Sequence, residues 1–233
     1  IPDGLGAQGE NLATCDFKSD FLTSTEIGLK STLLDGRMRI NVAAFSQEWD
    51  NFQFSRLDTT ISPITLTYNV GNAESSGIEG DFTVLITDNW TLSGAASFLN
   101  AELVEDYRRN PSSAEADAPA GTPLPRVPEK KFNLSTRFTT DSNWYLQGSF
   151  VYTGESWNSL YGSPTWVRGR TLQEAYQILN LAVGLEREDW GMEFYIRNVA
   201  DERGMVFVNA GTWDKRITTN RPRTVGVSYR RTF

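Results

Sequence analysis

Apolar and polar residues alternate along most of this chain, in runs of about ten positions that end in short turns. In the run over 131–138, the even positions hold Phe, Leu, Thr and Phe, whereas the odd positions hold Lys, Asn, Ser and Arg. Because the side chains of a β-strand point alternately to its two faces, this period of two gives each strand one apolar and one polar face. The pattern predicts an antiparallel sheet with one wet face and one face turned to a second sheet or to lipid.

The alternation predicts about nine strands, which cover 20–34, 37–55, 66–87, 90–107, 129–140, 143–156, 173–187, 190–205 and 221–233. Short turns and long connections follow one another between these strands. The short turns lie at 35–36, 87–89, 140–143 and 188–191, and the long connections at about 56–65, 108–128, 157–172 and 206–220. This sorting is typical of bacterial outer-membrane barrels, which have short periplasmic turns and long extracellular loops. A soluble Greek-key sandwich has no reason to sort its loops this way.

Three tryptophans favour lipid over a second sheet as the partner of the apolar face. Trp90, Trp144 and Trp190 each lie within two residues of a short turn. Indole rings at that height form the interfacial girdle of lipid-facing barrels. The alternative is that these rings cap the core of a soluble all-β domain, which would stay in solution without detergent.

Composition narrows the function classes further. The chain has 233 residues and a hydrophobic fraction of 39%, which is low for a globular domain but sufficient for a barrel with a polar lumen. The net charge of −7 argues against nucleic-acid binding. There is no histidine, so His-dependent nucleophilic catalysis and histidine metal sites are excluded. We therefore expect no enzyme, no cofactor and no metal site, and we interpret the carboxylates of Glu102 and Glu105 as a solvated rim.

The chain also looks like part of a longer protein. No apolar run approaches the roughly 20 residues of a membrane helix, and residues 1–4 have the character of a loop rather than of a signal peptide. Single-chain bacterial barrels have an even number of strands, so about nine strands with a loop-like start predict that upstream strands are missing. Cys15 is the single cysteine, and it is either a free thiol in a loop or paired with a residue upstream.

The final strand carries the first resemblance to a known class of protein. Val225, Val227, Tyr229 and the terminal Phe233 share the predicted lipid face, which Arg231 interrupts. A C-terminal aromatic residue on such a strand resembles the signal that the outer-membrane assembly machinery recognises. The resemblance implies that Tyr229 and Phe233 take part in assembly.

Three further stretches resemble the barrel of TonB-dependent receptors, in matching order and spacing over nearly the whole chain. Residues 68–73 (Tyr-Asn-Val-Gly-Asn-Ala), followed by 77–79 (Gly-Ile-Glu), look like the family's Asn-x-Gly-x-Ala…Gly-Val/Ile-Glu segment. Residues 124–128 (Leu-Pro-Arg-Val-Pro) resemble the segment that leads into a later barrel strand, and residues 198–202 (Asn-Val-Ala-Asp-Glu) resemble a motif near the family's C-terminus. From the residues themselves we expect structural roles, since glycines suit bulges and close backbone approach in a long tilted strand.

The resemblance implies an all-β, antiparallel transmembrane β-barrel of about 22 strands with a plugged lumen, in the outer membrane of a Gram-negative bacterium. Residues 1–233 would be the C-terminal portion of that barrel, with the plug domain, the TonB box and the upstream strands outside the chain. The partners would be outer-membrane lipid, the TonB complex through the missing plug, and the assembly machinery through the C-terminal strand.

The function implied by the resemblance is TonB-energised uptake of a scarce nutrient, with a ferric siderophore or a similar iron complex as the expected small-molecule substrate. The alternation alone leaves other barrels open, because a passive porin, a substrate-specific diffusion channel or an adhesin barrel would show the same pattern.

Candidate ligand contacts are the aromatic and cationic residues of the long connections: Tyr107, Arg108, Arg109, Trp157, Tyr161, Trp166, Arg168, Arg170 and Trp213. Aromatic rings offer flat contact area, and arginine offers a planar fork for anionic groups such as the carboxylates of an iron chelate. The alternative for the arginines is contact with lipopolysaccharide or solvent, and the alternative for the aromatic residues is packing against neighbouring loops. The loops carry no residues that distinguish a siderophore from cobalamin or a glycan, while the absence of histidine argues against haem.

Overall fold

The computed structural model describes residues 17–57, 65–108, 112–161, 170–210 and 215–232, and all regular structure in this part of the chain is β. The strands in chain order are β1 (Phe21–Leu33), β2 (Met38–Asp50), β3 (Gln53–Leu57), β4 (Thr65–Asn69), β5 (Ala73–Thr87), β6 (Trp90–Leu103), β7 (Lys130–Thr139), β8 (Trp144–Thr153), β9 (Ser156–Trp157), β10 (Leu172–Gln173), β11 (Tyr176–Glu186), β12 (Trp190–Arg197), β13 (Met205–Ala210), β14 (Lys215–Thr219) and β15 (Thr224–Arg231). In the described ranges, no helix has the length and apolar character needed to cross a membrane.

Nine of these strands form one antiparallel sheet in the order β1-β2-β5-β6-β7-β8-β11-β12-β15. The other strands pair into three short hairpins, β3 with β4, β9 with β10, and β13 with β14. Each strand of the main sheet pairs with the main strand that precedes it, so the sheet is a meander with β1 and β15 at its edges. The predicted nine-stranded antiparallel sheet is confirmed, and it forms part of a barrel wall.

The register brings the apolar positions of neighbouring strands onto one face of the sheet. Leu134 on β7 lies opposite Phe150 on β8, which in turn lies opposite Leu179 on β11. These side chains stay exposed although they are large, as shown by Ile27 at 78% and Leu146 at 59% exposure. In water such a broad apolar surface would promote aggregation, whereas lipid solvates it favourably. This exposed apolar face is the one that the sequence predicts to meet lipid.

The opposite face is polar and lines the lumen. The amide of Asn41 on β2 donates to both carboxylate oxygens of Asp81 on β5, at 3.1 and 2.9 Å. Nearer the short turns, Arg137 on β7 forms an ion pair with Glu186 on β11 at 3.0 Å. The Arg137 guanidinium also lies 3.7 Å from the ring centroid of Tyr145 on the strand between them. These contacts brace the wall across three successive strands.

The predicted tryptophans lie at the short-turn end of the sheet. Trp90 begins β6, Trp144 begins β8 and Trp190 begins β12. Trp90 and Trp144 are 40% and 45% exposed. The indole N–H of Trp90 donates to the Thr136 hydroxyl on β7 at 2.8 Å, which fixes the ring at the strand end. The predicted placement of indoles at this end of the sheet is confirmed.

Three predicted strands are interrupted by single residues with left-handed backbone. The φ angles are 54° at Asn51, 104° at Gly71 and 52° at Asn198, values that a strand cannot continue through. Asn51 and Gly71 split the strands predicted over 37–55 and 66–87, and Asn198 ends the strand predicted to continue to residue 205.

The long connections are more regular than predicted. The segment predicted as a loop over 206–220 is mostly the hairpin of β13 and β14, and the ends of the loop predicted over 157–172 pair as β9 and β10. These hairpins lie beyond the main sheet. Their strands are two to six residues long, too short to show the ten-residue alternation that marks the main strands.

Candidate ligand-binding site

The end of the main sheet opposite the short turns, here called the rim, carries a small apolar core. This rim cluster consists of Phe52, Val70, Ala73, Ala101, Leu103, Tyr107, Ala118, Leu124 and Leu160. The lumenal face of β5 and β6 is polar along most of its length, but near these strand ends it carries three buried apolar residues, Ala73, Ala101 and Leu103. Leu103 is fully buried, and burial of such a side chain stabilises by about 1.5–3 kcal/mol. The loops are therefore held against the wall by a core of their own.

Backbone hydrogen bonds fasten the connection between β6 and β7 to this core. Leu103 N–H donates to Thr122 C=O (3.0 Å), and Gly121 N–H donates back to Leu103 C=O (2.8 Å). Leu124 N–H donates to Ala101 C=O at 2.8 Å. The segment before β7 thus runs alongside the end of β6 and continues its ladder.

A charged contact closes the same loop at its outer end. One carboxylate oxygen of Asp106 accepts a hydrogen bond from Ala120 N–H (3.0 Å), and the other accepts one from Arg108 (2.8 Å). The Ala120 N–H, followed by Arg108, lowers the pKa of Asp106 below its ordinary value, because both contacts favour the ionised carboxylate. Asp106 is therefore ionised at neutral pH and joins the two halves of the loop.

The family-like motif at 68–73 is structural. The Asn69 side chain donates to Lys18 C=O (3.0 Å) and Asn51 C=O (2.7 Å), and its oxygen accepts from Lys18 N–H (2.7 Å). Gly71 has positive φ, and a Cβ there would stand 2.8 Å from the Glu105 carboxylate. Glu105 in turn accepts a hydrogen bond from Asn72 N–H at 2.8 Å. The motif ties the hairpin of β3 and β4 to the rim.

The motif at 198–202 is structural as well. Asn198 is buried, and its side chain donates to Glu202 C=O and Arg221 C=O (both 2.9 Å) and accepts from Glu202 N–H (2.9 Å). Asp201 accepts from Arg223 N–H at 2.7 Å, and this contact lowers the pKa of Asp201. Both side chains connect the end of β12 to the start of β15, so the predicted structural role fits the observed contacts.

Three predicted ligand contacts are committed to packing or pairing within the loops: Tyr107, Tyr161 and Arg108. Tyr107 belongs to the rim cluster with 9% exposure, and its ring centroid lies 5.7 Å from that of Tyr161. Arg108 pairs with Asp106, as described above. The contacts of Tyr107 follow the alternative of loop packing, whereas the ion pair of Arg108 was not predicted.

Two other candidates form a stacked pair. The guanidinium carbon of Arg170 lies 4.1 Å from the ring centroid of Trp157. Nε and Nη2 of Arg170 are buried and have no hydrogen-bond acceptor within the described ranges. Burial lowers the pKa of Arg170, although an arginine remains protonated in proteins. The pair is therefore a fixed positive charge with unused donors.

A second arginine adjoins this pair. Arg126 N–H donates to Trp157 C=O at 2.7 Å, and the Arg126 guanidinium lies 4.5 Å from the ring centroid of Phe207 on β13. Neither Arg126 nor Phe207 was predicted as a ligand contact. Arg126 was noticed only within a family-like motif, and Phe207 is brought to it by the hairpin of β13 and β14, which sequence reasoning treated as a loop.

The remaining candidates divide between two groups. Arg109, Trp166, Arg168, Trp213 and Phe233 lie outside the described residues, as does Cys15. Tyr229 on β15 is 63% exposed on the lipid-facing side, opposite Met192, with its ring 6.3 Å from that of Trp190. Across the described part of the chain, no three carboxylate, histidine or cysteine residues come together as a metal site.

Comparison with known proteins gives this architecture a family context. A family model described as TonB dependent receptor-like, beta-barrel, matches residues 4–199. The probable TonB-dependent siderophore receptor PiuA of Acinetobacter baumannii is 24% identical over 210 residues, which make up 87% of this chain and 27% of PiuA.

Two solved structures share the fold. The closed form of the ferric-catecholate import receptor Fiu of E. coli K12 matches with a TM-score of 0.70 at 20% identity, over 98% of this chain and 30% of Fiu. The ferric yersiniabactin uptake receptor FyuA of Yersinia pestis matches with a TM-score of 0.71 at 16% identity, over 93% of this chain and 30% of FyuA. The chain thus spans less than a third of the length of these relatives.

Proposed function

Because the chain belongs to the TonB-dependent receptor family, as part of its β-barrel, we propose that the whole protein imports a ferric siderophore or a similar iron complex. The observation that carries the proposal is the family match over 4–199 together with the likeness to PiuA, a probable siderophore receptor. The family is one of transporters and receptors rather than enzymes. Both matches favour this interpretation over a passive porin or diffusion channel.

The proposed location is the outer membrane of a Gram-negative bacterium, where members of the family reside. The lipid-facing side of the nine strands supplies the apolar band, and the tryptophans at the short turns supply one interfacial anchor. The short turns would then face the periplasm and the rim the outside. The exposed strand β15 with Tyr229, followed by Phe233, is the proposed contact for the assembly machinery.

Residues 1–233 are proposed to be the C-terminal portion of a larger barrel of about 22 strands. A plug domain inside that barrel would meet the polar lumenal face, whose paired charges include Arg137 and Glu186. The TonB complex would act on that plug from the periplasm and open a path for the bound substrate. In this scheme the described chain supplies wall and loops.

The experiment that tests the proposal is uptake of radioactive iron by cells that carry the full-length protein as their sole receptor of this kind. We expect iron-limited cells to accumulate iron from a ferric chelate when both the receptor and TonB are present, and to lose this uptake when TonB is deleted. Uptake that continues without TonB would contradict the proposal and support a passive channel. A failure to take up any ferric siderophore, combined with TonB-dependent uptake of another nutrient, would retain the receptor and reject the iron substrate.

A further inference from the structure

Two arginines flank a tryptophan at the short-turn end of the main sheet. Arg231 on β15 lies directly opposite Trp190 on β12. Arg187, just beyond the end of β11, donates its backbone N–H to Trp190 C=O at 2.8 Å. The three residues, here called the Arg–Trp–Arg row, therefore cross three neighbouring strands at one height. Both arginines are exposed, whereas Trp190 is half-buried.

The alternation places this row on the apolar face of the sheet. Arg231 follows Val227 and Tyr229 at every second position of β15, and both of these side chains are exposed on that face. Arg187 comes four positions after Val183, which is exposed on the same face of β11. Because side chains of one face recur at every second position, both arginines belong to the face that the sequence predicts to meet lipid.

The height of the row corresponds to the membrane interface. Trp90 and Trp144 begin their strands at the same end of the sheet, and aromatic residues of this kind mark the level at which the lipid headgroups start. An arginine at that level keeps its methylene stem against apolar surface while its guanidinium extends to the headgroups. The guanidinium fork matches phosphate in two parallel hydrogen bonds.

Contacts of the short turns hold both arginines in place. Arg187 Nη1 donates to Ser142 C=O at 2.9 Å, which uses one of the five N–H donors of the guanidinium. Thr232 N–H donates to Asp189 C=O at 2.8 Å, which fixes the backbone next to Arg231. Among the described residues, Arg187 forms no ion pair with a carboxylate. The row thus presents cationic donors from a fixed backbone.

We propose that the Arg–Trp–Arg row binds the phosphate headgroup of an anionic glycerophospholipid in the periplasmic leaflet of the outer membrane. Neighbouring strands lie about 4.8 Å apart, so the backbones of Arg187 and Arg231 are separated by roughly 10 Å, a span that two long side chains close around one headgroup. Met192 and Tyr229, which are exposed next to the row, offer apolar surface to the acyl chains. The inference rests on the proposed location and orientation of the barrel, and not on the transported substrate.

The chemistry of the row favours an anionic lipid over a zwitterionic one. The ammonium group of a zwitterionic headgroup competes with arginine for the phosphate, whereas an anionic headgroup has no cation of its own. Glu188 and Asp189 in the turn between β11 and β12 offset the two arginine charges. Recognition therefore depends on direct hydrogen bonds from the guanidinium groups rather than on long-range attraction.

The test counts lipids bound to the purified, folded full-length receptor by native mass spectrometry. The probes are phosphatidylglycerol, phosphatidylethanolamine with the same acyl chains, and lipopolysaccharide, each added to delipidated receptor. We expect the wild type to prefer phosphatidylglycerol to phosphatidylethanolamine. Arg187→Ala and Arg231→Ala should each weaken binding of phosphatidylglycerol about fivefold, and the double variant about 25-fold, as for cationic side chains at an anionic lipid surface.

Arg230→Ala is the matched control, because it removes the same type of side chain from the adjacent position of β15, on the lumenal face. It should bind phosphatidylglycerol within about twofold of the wild type, since its charge does not face the lipid. Heat-modifiable mobility verifies that each variant is folded before its lipids are counted. If Arg231→Ala fails to assemble, Arg187→Ala, which lies outside the C-terminal strand, decides the outcome.

Equal binding of phosphatidylglycerol by the wild type and both arginine variants would overturn the inference, as would equal affinity of the wild type for the anionic and the zwitterionic lipid. Loss of lipopolysaccharide instead of phosphatidylglycerol in the variants would place the short turns in the outer leaflet, and it would overturn the inference together with the proposed orientation. Iron uptake is measured separately. Selective binding of phosphatidylglycerol by a receptor that shows no TonB-dependent iron uptake would support the lipid site and contradict the proposed function.

Discussion

The ring of Tyr145 lies against the backbone of Gly184 on the adjacent strand, so closely that any side chain at position 184 would overlap it. The absence of a Cβ at Gly184 lets the tyrosine lie flat along the lumenal wall. In that position its hydroxyl donates to Glu193 at 2.7 Å and its face meets the guanidinium of Arg137. One glycine therefore positions three polar side chains of the lumen.

We expect Gly184→Ala to displace the Tyr145 ring and break its contacts with Glu193 and Arg137. Overpacking of this kind costs about 1–3 kcal/mol. The measurement is the thermal unfolding midpoint of the full-length barrel in detergent, which should fall. Gly148→Ala is the control on β8, because a Cβ there would meet its nearest neighbour, Leu181, at an ordinary 3.5 Å. Equal stability of the two variants would show that the ring has room to move without loss.

Asn198 is expected to be the most sensitive residue of the rim. Its side chain makes hydrogen bonds to Glu202 and Arg221, and its φ of 52° is one that asparagine tolerates better than most residues. Asn198→Ala removes the acceptor of Glu202 N–H, at a cost of about 1–3 kcal/mol if that group stays unpaired, whereas Glu202 C=O and Arg221 C=O keep the Asn220 side chain as a donor.

Limited proteolysis with trypsin measures the effect of Asn198→Ala, since the exposed Arg203 follows the motif closely. We expect faster cleavage at Arg203 in the variant than in the wild type. Asn209→Ala, on the exposed side of β13, serves as the control and should leave the rate unchanged. A variant cleaved no faster than the control would mean that the connection between β12 and β15 is held by other contacts.

The membrane-spanning part of the fold could be predicted from the sequence because lipid imposes a pattern on it. Most of the side chains that a strand directs toward lipid must be apolar, and the register that pairs Leu134 with Phe150 gathers such side chains on one face of the sheet. The interruptions at Asn51 and Gly71 were not predictable in the same way. They arise from local backbone conformation, which an alternation of polar and apolar residues does not encode.

The candidate site was predictable only in its residue types. Arg170 and Trp157 were both expected among the ligand contacts, but their stacking depends on how the loop folds back on itself. Tyr107 was expected to be accessible, yet it is buried in the rim cluster by contacts with residues distant in sequence, such as Leu160. Contacts within the loops join residues that are distant in sequence, and they follow no periodic pattern of apolar and polar residues.

The loop closed by Asp106 should loosen in acid. The Ala120 N–H and Arg108 hold the pKa of Asp106 below its ordinary value near 3.9. A carboxylate whose folded-state pKa is lowered stabilises the fold above its unfolded pKa, and this contribution is lost as the pH falls through the lowered value. The loop between β6 and β7 should therefore be protected at neutral pH and begin to loosen only when the pH falls below about 4.

Hydrogen exchange of the amides at 117–124, measured as a function of pH after correction for intrinsic rates, checks this expectation. Asp106→Asn retains an oxygen acceptor for Ala120 N–H but removes the charge, so it should expose the loop somewhat at neutral pH and abolish the added opening in acid. An acid-dependent opening of the same size in Asp106→Asn would assign the effect to another carboxylate of the rim.

A pair of adjacent positions on β7 tests which face of the sheet meets lipid. Leu134 is 43% exposed on the apolar face near the middle of the strand, and Ser135 lies next to it on the lumenal face. An arginine on the lipid face near the bilayer midplane costs about 2–4 kcal/mol, whereas the lumen is wet and tolerates it. We expect Leu134→Arg to reduce the amount of folded receptor in the outer membrane and Ser135→Arg to leave it nearly unchanged. The amount is measured by heat-modifiable mobility of the full-length protein in membrane fractions. The register that exposes Leu134 on the apolar face places Ser135 between the small side chains of Ser93 and Ser149 on the other face. If Ser135→Arg were the more damaging change, the assignment of the two faces would therefore be wrong.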